Sequence, residues 1–413
     1  MTFRVGPRGL PLEIEKSASK SGAERAVAPN APSRETLEAL GGPRRLAVAA
    51  PVPVSEVRAI AARAFAARLG STRAWKSLDD NQRARLSTVL HGSENELSRR
   101  AREIAGRMVD DPDWGALTEA AQASLLSLLL TKEALPKLTR DMRDASGEPV
   151  VLPKLGNHRL GESVHVGDFE FHGATAPALK TSIALSSGES IEVISPADAS
   201  GDRIHSLSDI GEALTRVPLP LRPLLTRVIV NPVPNPADAY WTRIFSDYLP
   251  AASQRLENEL RGLPELAEPQ RAAVRGIAER AFQTDLEAPP AEKFESFATA
   301  MAPVVHLYPT PYTRDVNRLA FTFIHELGHF WSMSLWGPNE NLPAWEPFRE
   351  AVRADAVMAP SRYGATNLLE RAAETTVPYF VFQDRPEGQE LRSLFKHTYG
   401  LIDRRFGPTT GSG

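Results

Sequence analysis

The segment Phe323–Trp331 constrains the fold more than any other part of the chain. It reads Phe-Ile-His-Glu-Leu-Gly-His-Phe-Trp, and its flanks are apolar almost all round, which predicts a buried α-helix. On a helix, residues i and i+4 lie one above the other on the same face. His325 and His329 can therefore direct both imidazoles at one metal ion. Because histidine and glutamate are rarely fully buried unless paired or metal-bound, we expect a metal site here.

The glutamate between the two histidines suggests what such a metal would do. Glu326 follows His325 directly and lies about 100° round the helix from it by the 3.6-residue period. From there its carboxylate can reach a metal-bound water without ligating the metal. The pattern H-E-x-x-H thus predicts a zinc hydrolase centre, with a carboxylate that accepts the water's proton. The alternative is a chance match on an amphipathic helix.

Composition narrows the choice of metal site and partner. The 413 residues include no cysteine, which excludes disulfides, thiolate ligands and cysteine nucleophiles. Zinc would have to be held by histidine and carboxylate, which suits a catalytic site better than a structural one. The formal net charge of −3 gives no basic footprint, so we expect no nucleic-acid partner.

The hydropathy pattern bears on localisation. No apolar run approaches the length of a membrane span, and the first residues lack the apolar core of an ordinary signal peptide. We therefore expect no membrane span, and either a cytoplasmic protein or one secreted by a leaderless route.

Periodicity and composition divide the chain into four predicted regions. Residues 1–50 are rich in Pro, Ser, Gly and Ala and are typical of a disordered tail. Residues 51–145 carry a 39-residue repeat of helix, Trp-bearing turn and helix, which predicts a small helical module with the tryptophans in its core. Residues 146–222 alternate as strands and predict a small β region, which includes a hairpin that turns at Ser187-Gly188. Residues 223–413 would form a zincin-like metallopeptidase domain, so the predicted fold class is α+β.

Three local predictions lie around this framework. A short helix is expected over 294–301, followed by a strand over 304–308 that leads into the H-E-x-x-H helix, as in zinc peptidases of the zincin class. We expect the edge of that strand to pair with an extended substrate. His158, His165 and His172 follow one another at odd spacing in strand sequence, so they are expected to be separate surface or satisfied side chains.

A catalytic zinc needs a third protein ligand besides the two histidines. The metzincin continuation would require glycine at 332 and histidine at 335, where this chain has Ser332 and Leu335. In thermolysin-like enzymes the third zinc ligand is a glutamate on a later helix. Glu350 lies near the usual distance downstream, and Glu370 is the second candidate. Taken alone, the Asn367-x-x-Glu370 spacing favours a helix-capping box.

The segment from Ser361 to Glu374 favours Glu370, because it resembles a known family. It reads S-R-Y-G-A-T-N-L-L-E-R-A-A-E, and the lethal-factor family of anthrax has S-x-Y-G-x-x-N-x-x-E-x-x-A-E after H-E-x-G-H in its catalytic domain. The family's H-E-x-G-H motif is present in this chain as H-E-L-G-H at residues 325–329. The resemblance covers only the C-terminal part of the chain, and it departs from the family's aromatic pair at Arg371 and Ala372.

The resemblance implies a gluzincin-like zinc endopeptidase that acts on a peptide or protein substrate. In that family the glutamate that matches Glu370 is the third zinc ligand. The hydroxyl of the tyrosine that matches Tyr363 polarises the scissile carbonyl. Glu374 would be an outer carboxylate beside a zinc histidine. A secreted effector or toxin fits the family best.

Two other functions stay open on sequence grounds. One is an inactive peptidase fold that serves as a protein-interaction module through its tryptophan repeats. The other is a peptide-trimming aminopeptidase. The sequence indicates no oligomeric state.

Overall fold

The described part of the chain combines one mixed sheet with two groups of helices, which confirms the α+β class. This computed structural model describes residues 69, 73–78, 83, 96–131, 134, 142–144, 147–198, 204–239, 242, 252–283, 295–311, 314–355 and 359–407. The predicted tail over 1–50 and most of the first tryptophan repeat lie outside the described residues.

Among the described residues, the sheet has seven strands in the order β1-β3-β4-β5-β7-β6, with β2 also paired to β3. β4, β5 and β7 run parallel, and the other pairs are antiparallel. The predicted β3–β4 hairpin is confirmed, and its turn places Gly188 at a φ of +108°, which favours glycine. The strands are β1 His158–Leu160, β2 Val164–Phe171, β3 Ala174–Leu185, β4 Ser190–Pro196, β5 Arg227–Val230, β6 Ala298–Met301 and β7 Val304–Leu307.

Two predictions about the strands next to the site were wrong. Residues 298–301, predicted as part of a helix, form β6, which pairs antiparallel with β7 through Ala298 opposite Leu307 and Met301 opposite Val304. Pairing with a neighbour and burial of one face override the weak helical preference of this alanine-rich run. β7 lies between β5 and β6, so both of its edges are already paired and it cannot pair with a substrate strand.

The sheet runs across the boundary predicted at 222/223. Val193 of β4 lies opposite Val228 of β5, and apolar residues from both sides of the boundary share one core. The division of the chain into four regions stays a prediction, and the β region and the peptidase region contribute strands to the same sheet.

The described α-helices lie before, between and after the strands along the chain. They are α1 Arg73–Ser77, α2 Glu96–Val109, α3 Glu119–Ser127, α4 Leu207–Leu214, α5 Ala252–Arg261, α6 Glu268–Phe282, α7 Val316–Trp336, α8 Glu346–Asp355, α9 Leu368–Val381, α10 Pro386–Leu394 and α11 Lys396–Phe406. Short 3-10 turns lie at Trp114–Ala116, Leu128–Leu130, Leu219–Leu224 and Pro343–Trp345.

The helices divide between two cores. α4 and the C-terminal helices α7 to α11 share the main core with one face of the sheet. The second core joins α1, α2 and α3 to α5 and α6, although the sequence placed the last two in the peptidase region. In the second tryptophan repeat, Trp114 is buried and the Thr118 side chain caps α3 by accepting from Ala121 N. This confirms the predicted order of helix, tryptophan turn and helix.

Candidate metal centre

α7 carries the two histidines and is buried along most of its length, as predicted. The Asp315 side chain caps its start by accepting from Arg318 N at 2.9 Å, and the helix ends at Gly337, whose φ of +81° favours glycine. Every residue from 318 to 332 is buried. α9, α4 and β6 pack against the helix. His325 and His329 therefore face the interior of the protein, where their environment is fixed by packing.

α9 carries the third candidate ligand, and two side chains cap its first turn. Asn367 Oδ1 accepts from Glu370 N at 2.8 Å, and Glu340 Oε2 accepts from Leu368 N at 2.5 Å. The asparagine cap that the sequence suggested is thus present, while the Glu370 side chain points at both histidines. Glu340 comes from the loop after α7, so it joins the two ligand-bearing helices. No local signal in the sequence indicates this contact.

A glycine allows the two ligand-bearing helices to approach closely. A Cβ at Gly328 would lie 2.8 Å from Ala373 Cα and 3.2 Å from both Ala373 O and Thr376 Cβ. Trp331 Nε1 donates to Thr376 Oγ1 at 2.9 Å one turn further along. The glycine of H-E-L-G-H therefore has a packing role, because it lets α7 and α9 lie close enough for Glu370 to reach the two histidines.

We expect Gly328→Ala to weaken metal binding and to destabilise the fold. The backbone of α9 cannot yield as a flexible side chain would, so the helices must separate at a cost of about 1–3 kcal/mol. Zinc affinity by chelator competition and the melting temperature measure the two effects. Gly106→Ala in α2 is the matched control, because nothing lies within 4 Å of a Cβ there. Equal behaviour of the two variants would contradict the packing role.

The ligand atoms of His325, His329 and Glu370 converge on one point. The two histidine Nε2 atoms are 3.0 Å apart, and Glu370 Oε2 lies 3.2 Å from that of His325 and 3.5 Å from that of His329. Three metal bonds of about 2.0–2.1 Å at tetrahedral angles would place their ligand atoms about 3.3–3.4 Å apart. Within the described ranges, these residues form the one group of three whose ligand atoms meet in this way.

The burial of the group explains why a cation fits it. The exposed fractions are 0% for both histidines and 2% for Glu370. A carboxylate held among imidazole nitrogens away from water is costly unless a positive charge compensates it. Two imidazoles and a carboxylate suit a divalent transition-metal ion. The three residues therefore fit a metal ion in both geometry and charge.

Glu374 lies one turn after Glu370 and contacts the far side of the His325 ring. Its Oε1 is 2.7 Å from His325 Nδ1, and both side chains have an exposed fraction of 0%. A carboxylate at this nitrogen favours the tautomer with the proton on Nδ1, which leaves the Nε2 lone pair for a metal. The resemblance to the lethal-factor segment implies an outer carboxylate at this position, and that role stays a prediction.

Glu326 and Tyr363 complete the set of predicted site residues. Both are buried, at 1% and 3% exposed. The Tyr363 ring stacks against the His325 imidazole, with centroids 6.0 Å apart and planes at 26°. The structure thus brings Tyr363, from the turn before α9, against a histidine of α7. Their catalytic roles are argued below.

The other candidates do not join the group. Glu350, the alternative third ligand, is exposed on α8. His165 is exposed on β2, and His172 is satisfied by Tyr308, whose hydroxyl lies 2.7 Å from His172 Nδ1.

Tyr308 is a buried polar residue whose hydrogen bonds the sequence did not indicate. It follows β7, and its hydroxyl also lies 3.0 Å from Thr299 Oγ1. Burial raises the pKa of Tyr308, and the charges of Asp238 and Glu326 raise it further.

No known protein family, curated protein or solved structure matches the chain. Among the described residues, no helix combines the length and the apolar character needed to cross a bilayer. The fold and the site define an α+β protein with a buried His-His-Glu group on two packed helices, compatible with a zincin-like metal site. The resemblance to the lethal-factor segment rests on its motif residues alone. The toxin role and the secreted location stay predictions.

Proposed function

We propose that this protein is a gluzincin-like, zinc-dependent endopeptidase that hydrolyses bonds within a peptide or protein substrate. The convergence of His325, His329 and Glu370 in a buried site carries the proposal. The adjacent Glu326 makes a hydrolase the best-supported class, because a carboxylate beside a metal site can move a proton. When bound, zinc would polarise the scissile carbonyl and lower the pKa of the attacking water.

Each residue of the site has a task in this proposal. His325, His329 and Glu370 would hold the ion, and Glu374 would keep the proton of His325 on Nδ1. Glu326 accepts a proton from the attacking water and passes it to the leaving amine. The Tyr363 hydroxyl donates a hydrogen bond to the carbonyl oxygen as negative charge develops there.

We predict one zinc ion per chain in the wild type and in Glu350→Ala, and loss of zinc from Glu370→Ala. The reason is that Glu370 Oε2 faces both histidines, whereas Glu350 is exposed on α8. Removing a ligand should cost more than the roughly 10–100-fold typical of an outer partner. Elemental analysis after dialysis measures the content. Full zinc in Glu370→Ala together with loss in Glu350→Ala would move the third ligand to Glu350.

Cleavage of casein and of a peptide library tests the function itself. A zinc endopeptidase should cut within the peptides, stop when zinc is chelated and recover when zinc is restored. Release of single N-terminal residues would instead indicate the aminopeptidase. Stoichiometric zinc without cleavage would favour the inactive interaction module, although burial of Trp114 in the helical core supports a structural task for that tryptophan.

A further inference from the structure

The Ser361 hydroxyl contacts two parts of the site at once. Ser361 Oγ donates to Glu374 Oε2 at 2.6 Å, and Ser361 Oγ also accepts from Gly364 N at 2.9 Å. The other oxygen of Glu374 lies 2.7 Å from His325 Nδ1. A continuous chain of contacts therefore runs from the turn before α9 through Ser361 and Glu374 to a candidate metal ligand. Ser361 is fully buried, with an exposed fraction of 0%.

This turn also carries Tyr363, which lies in the chain between Ser361 and Gly364. Ala365 N donates to Ser361 O at 3.1 Å, and both the backbone N and the Oγ1 of Thr366 donate to Tyr363 O. A Cβ at Gly364 would lie 3.0 Å from the Glu374 Cβ, so the turn lies directly against α9. The position of Tyr363 beside the His325 ring thus depends on how the turn is fastened to Glu374.

A hydroxyl suits this junction because it donates and accepts at the same time. Replacement of Ser361 by alanine would remove the donor to Glu374 and the acceptor for Gly364 N. Both partners are buried, and a buried polar group that loses its contact is destabilised. The Glu374 side chain would then lose one of its constraints, and so would the turn that holds Tyr363.

We propose that Ser361 is a positioning residue that sets both the Glu374 carboxylate and the Tyr363 ring against His325. The inference rests on the proposed function for the tasks of Glu374 and Tyr363. It makes one serine responsible for coupling the metal ligands to the group that stabilises the transition state.

Metal affinity tests the first half of the inference. We expect Ser361→Ala to raise the zinc Kd by about tenfold, the lower end for an outer partner, and to change the visible spectrum of the cobalt-substituted protein. In a Glu374→Ala background the same substitution should change the Kd no further, since the effect passes through Glu374. Ser361→Cys, which keeps the shape and bonds more weakly, replaces the alanine variant if that does not fold.

Ser127→Ala is the matched control for the loss of a buried hydroxyl. Ser127 is 1% exposed, and its Oγ lies 2.7 Å from Ser124 O and 3.2 Å from Glu259 Oε1, in the second core. The control should lower stability and leave the zinc Kd unchanged.

Turnover at saturating zinc tests the second half. Ser361→Ala should lower kcat by a larger factor than it raises KM. The fall in kcat should be smaller than about 10²–10³-fold, the usual cost of losing an oxyanion donor. In a Tyr363→Phe background it should lower kcat no further. A wild-type Kd and kcat in Ser361→Ala, or additive effects in both double variants, would overturn the inference.

Failure of the proposed function gives a different result. A wild-type protein that binds no zinc overturns both proposals whatever the variants do. A protein that binds zinc but cleaves no peptide overturns the peptidase and with it the task of Tyr363, while the Kd series still decides whether Ser361 acts through Glu374.

Discussion

Glu326→Gln is expected to lower kcat by about 10²–10⁴-fold, the usual contribution of a general base. The amide preserves the shape of a side chain that is 1% exposed, so the fold should be unchanged. It cannot accept a proton from the attacking water. Because Glu326 is not one of the three converging residues, zinc content should match the wild type. Steady-state cleavage of a fluorogenic peptide, with elemental analysis of the same sample, gives both quantities.

Glu350→Gln supplies the control for this substitution. Glu350 is an exposed glutamate on α8, so the same change of charge should leave kcat and zinc content as they were. Unchanged turnover in Glu326→Gln would mean that the H-E-x-x-H helix is no catalytic centre. Loss of zinc from that variant would give Glu326 a structural task instead of a chemical one.

Tyr363→Phe is expected to lower kcat by about 10²–10³-fold, the usual cost of one oxyanion donor. The substitution removes the hydroxyl and keeps the ring that stacks on His325 at 6.0 Å. Zinc content and melting temperature should therefore barely change. The alternative is that Tyr363 only packs the turn before α9. In that case activity should survive, or fall in step with stability.

Tyr399→Phe is the matched control, because Tyr399 is a tyrosine that is 2% exposed on α11 and stacks on Phe395 instead of on a candidate metal ligand. Its kcat should stay at the wild-type level. A near-wild-type kcat in Tyr363→Phe would remove the oxyanion role and weaken the resemblance to the lethal-factor segment.

The sequence predicted the parts of the fold and site that depend on neighbours in the chain. The period of α7 placed His325 and His329 on one face, and alternation with a glycine turn predicted the β3–β4 hairpin. For Glu370, spacing alone left two readings, and the motif resemblance favoured the ligand.

The remainder depends on contacts between distant segments, which leave no local pattern. β6 is a strand because β7 pairs with it, although Ala298–Met301 alone resembles a helix. α5 and α6 look like any amphipathic helices, so their packing against the N-terminal module could not be read from their own residues. Glu340 and Ser361 reach α9 across 28 and 13 residues. The sequence offers no periodicity that would mark such hydrogen bonds.

The most direct test of the metal centre is a crystal structure of the zinc-loaded protein with anomalous data collected at the zinc edge. We predict one strong peak per chain, at about 2.0–2.1 Å from Nε2 of His325, Nε2 of His329 and a carboxylate oxygen of Glu370. A peak held by other residues, or no peak in this group from crystals that contain zinc, would contradict the account.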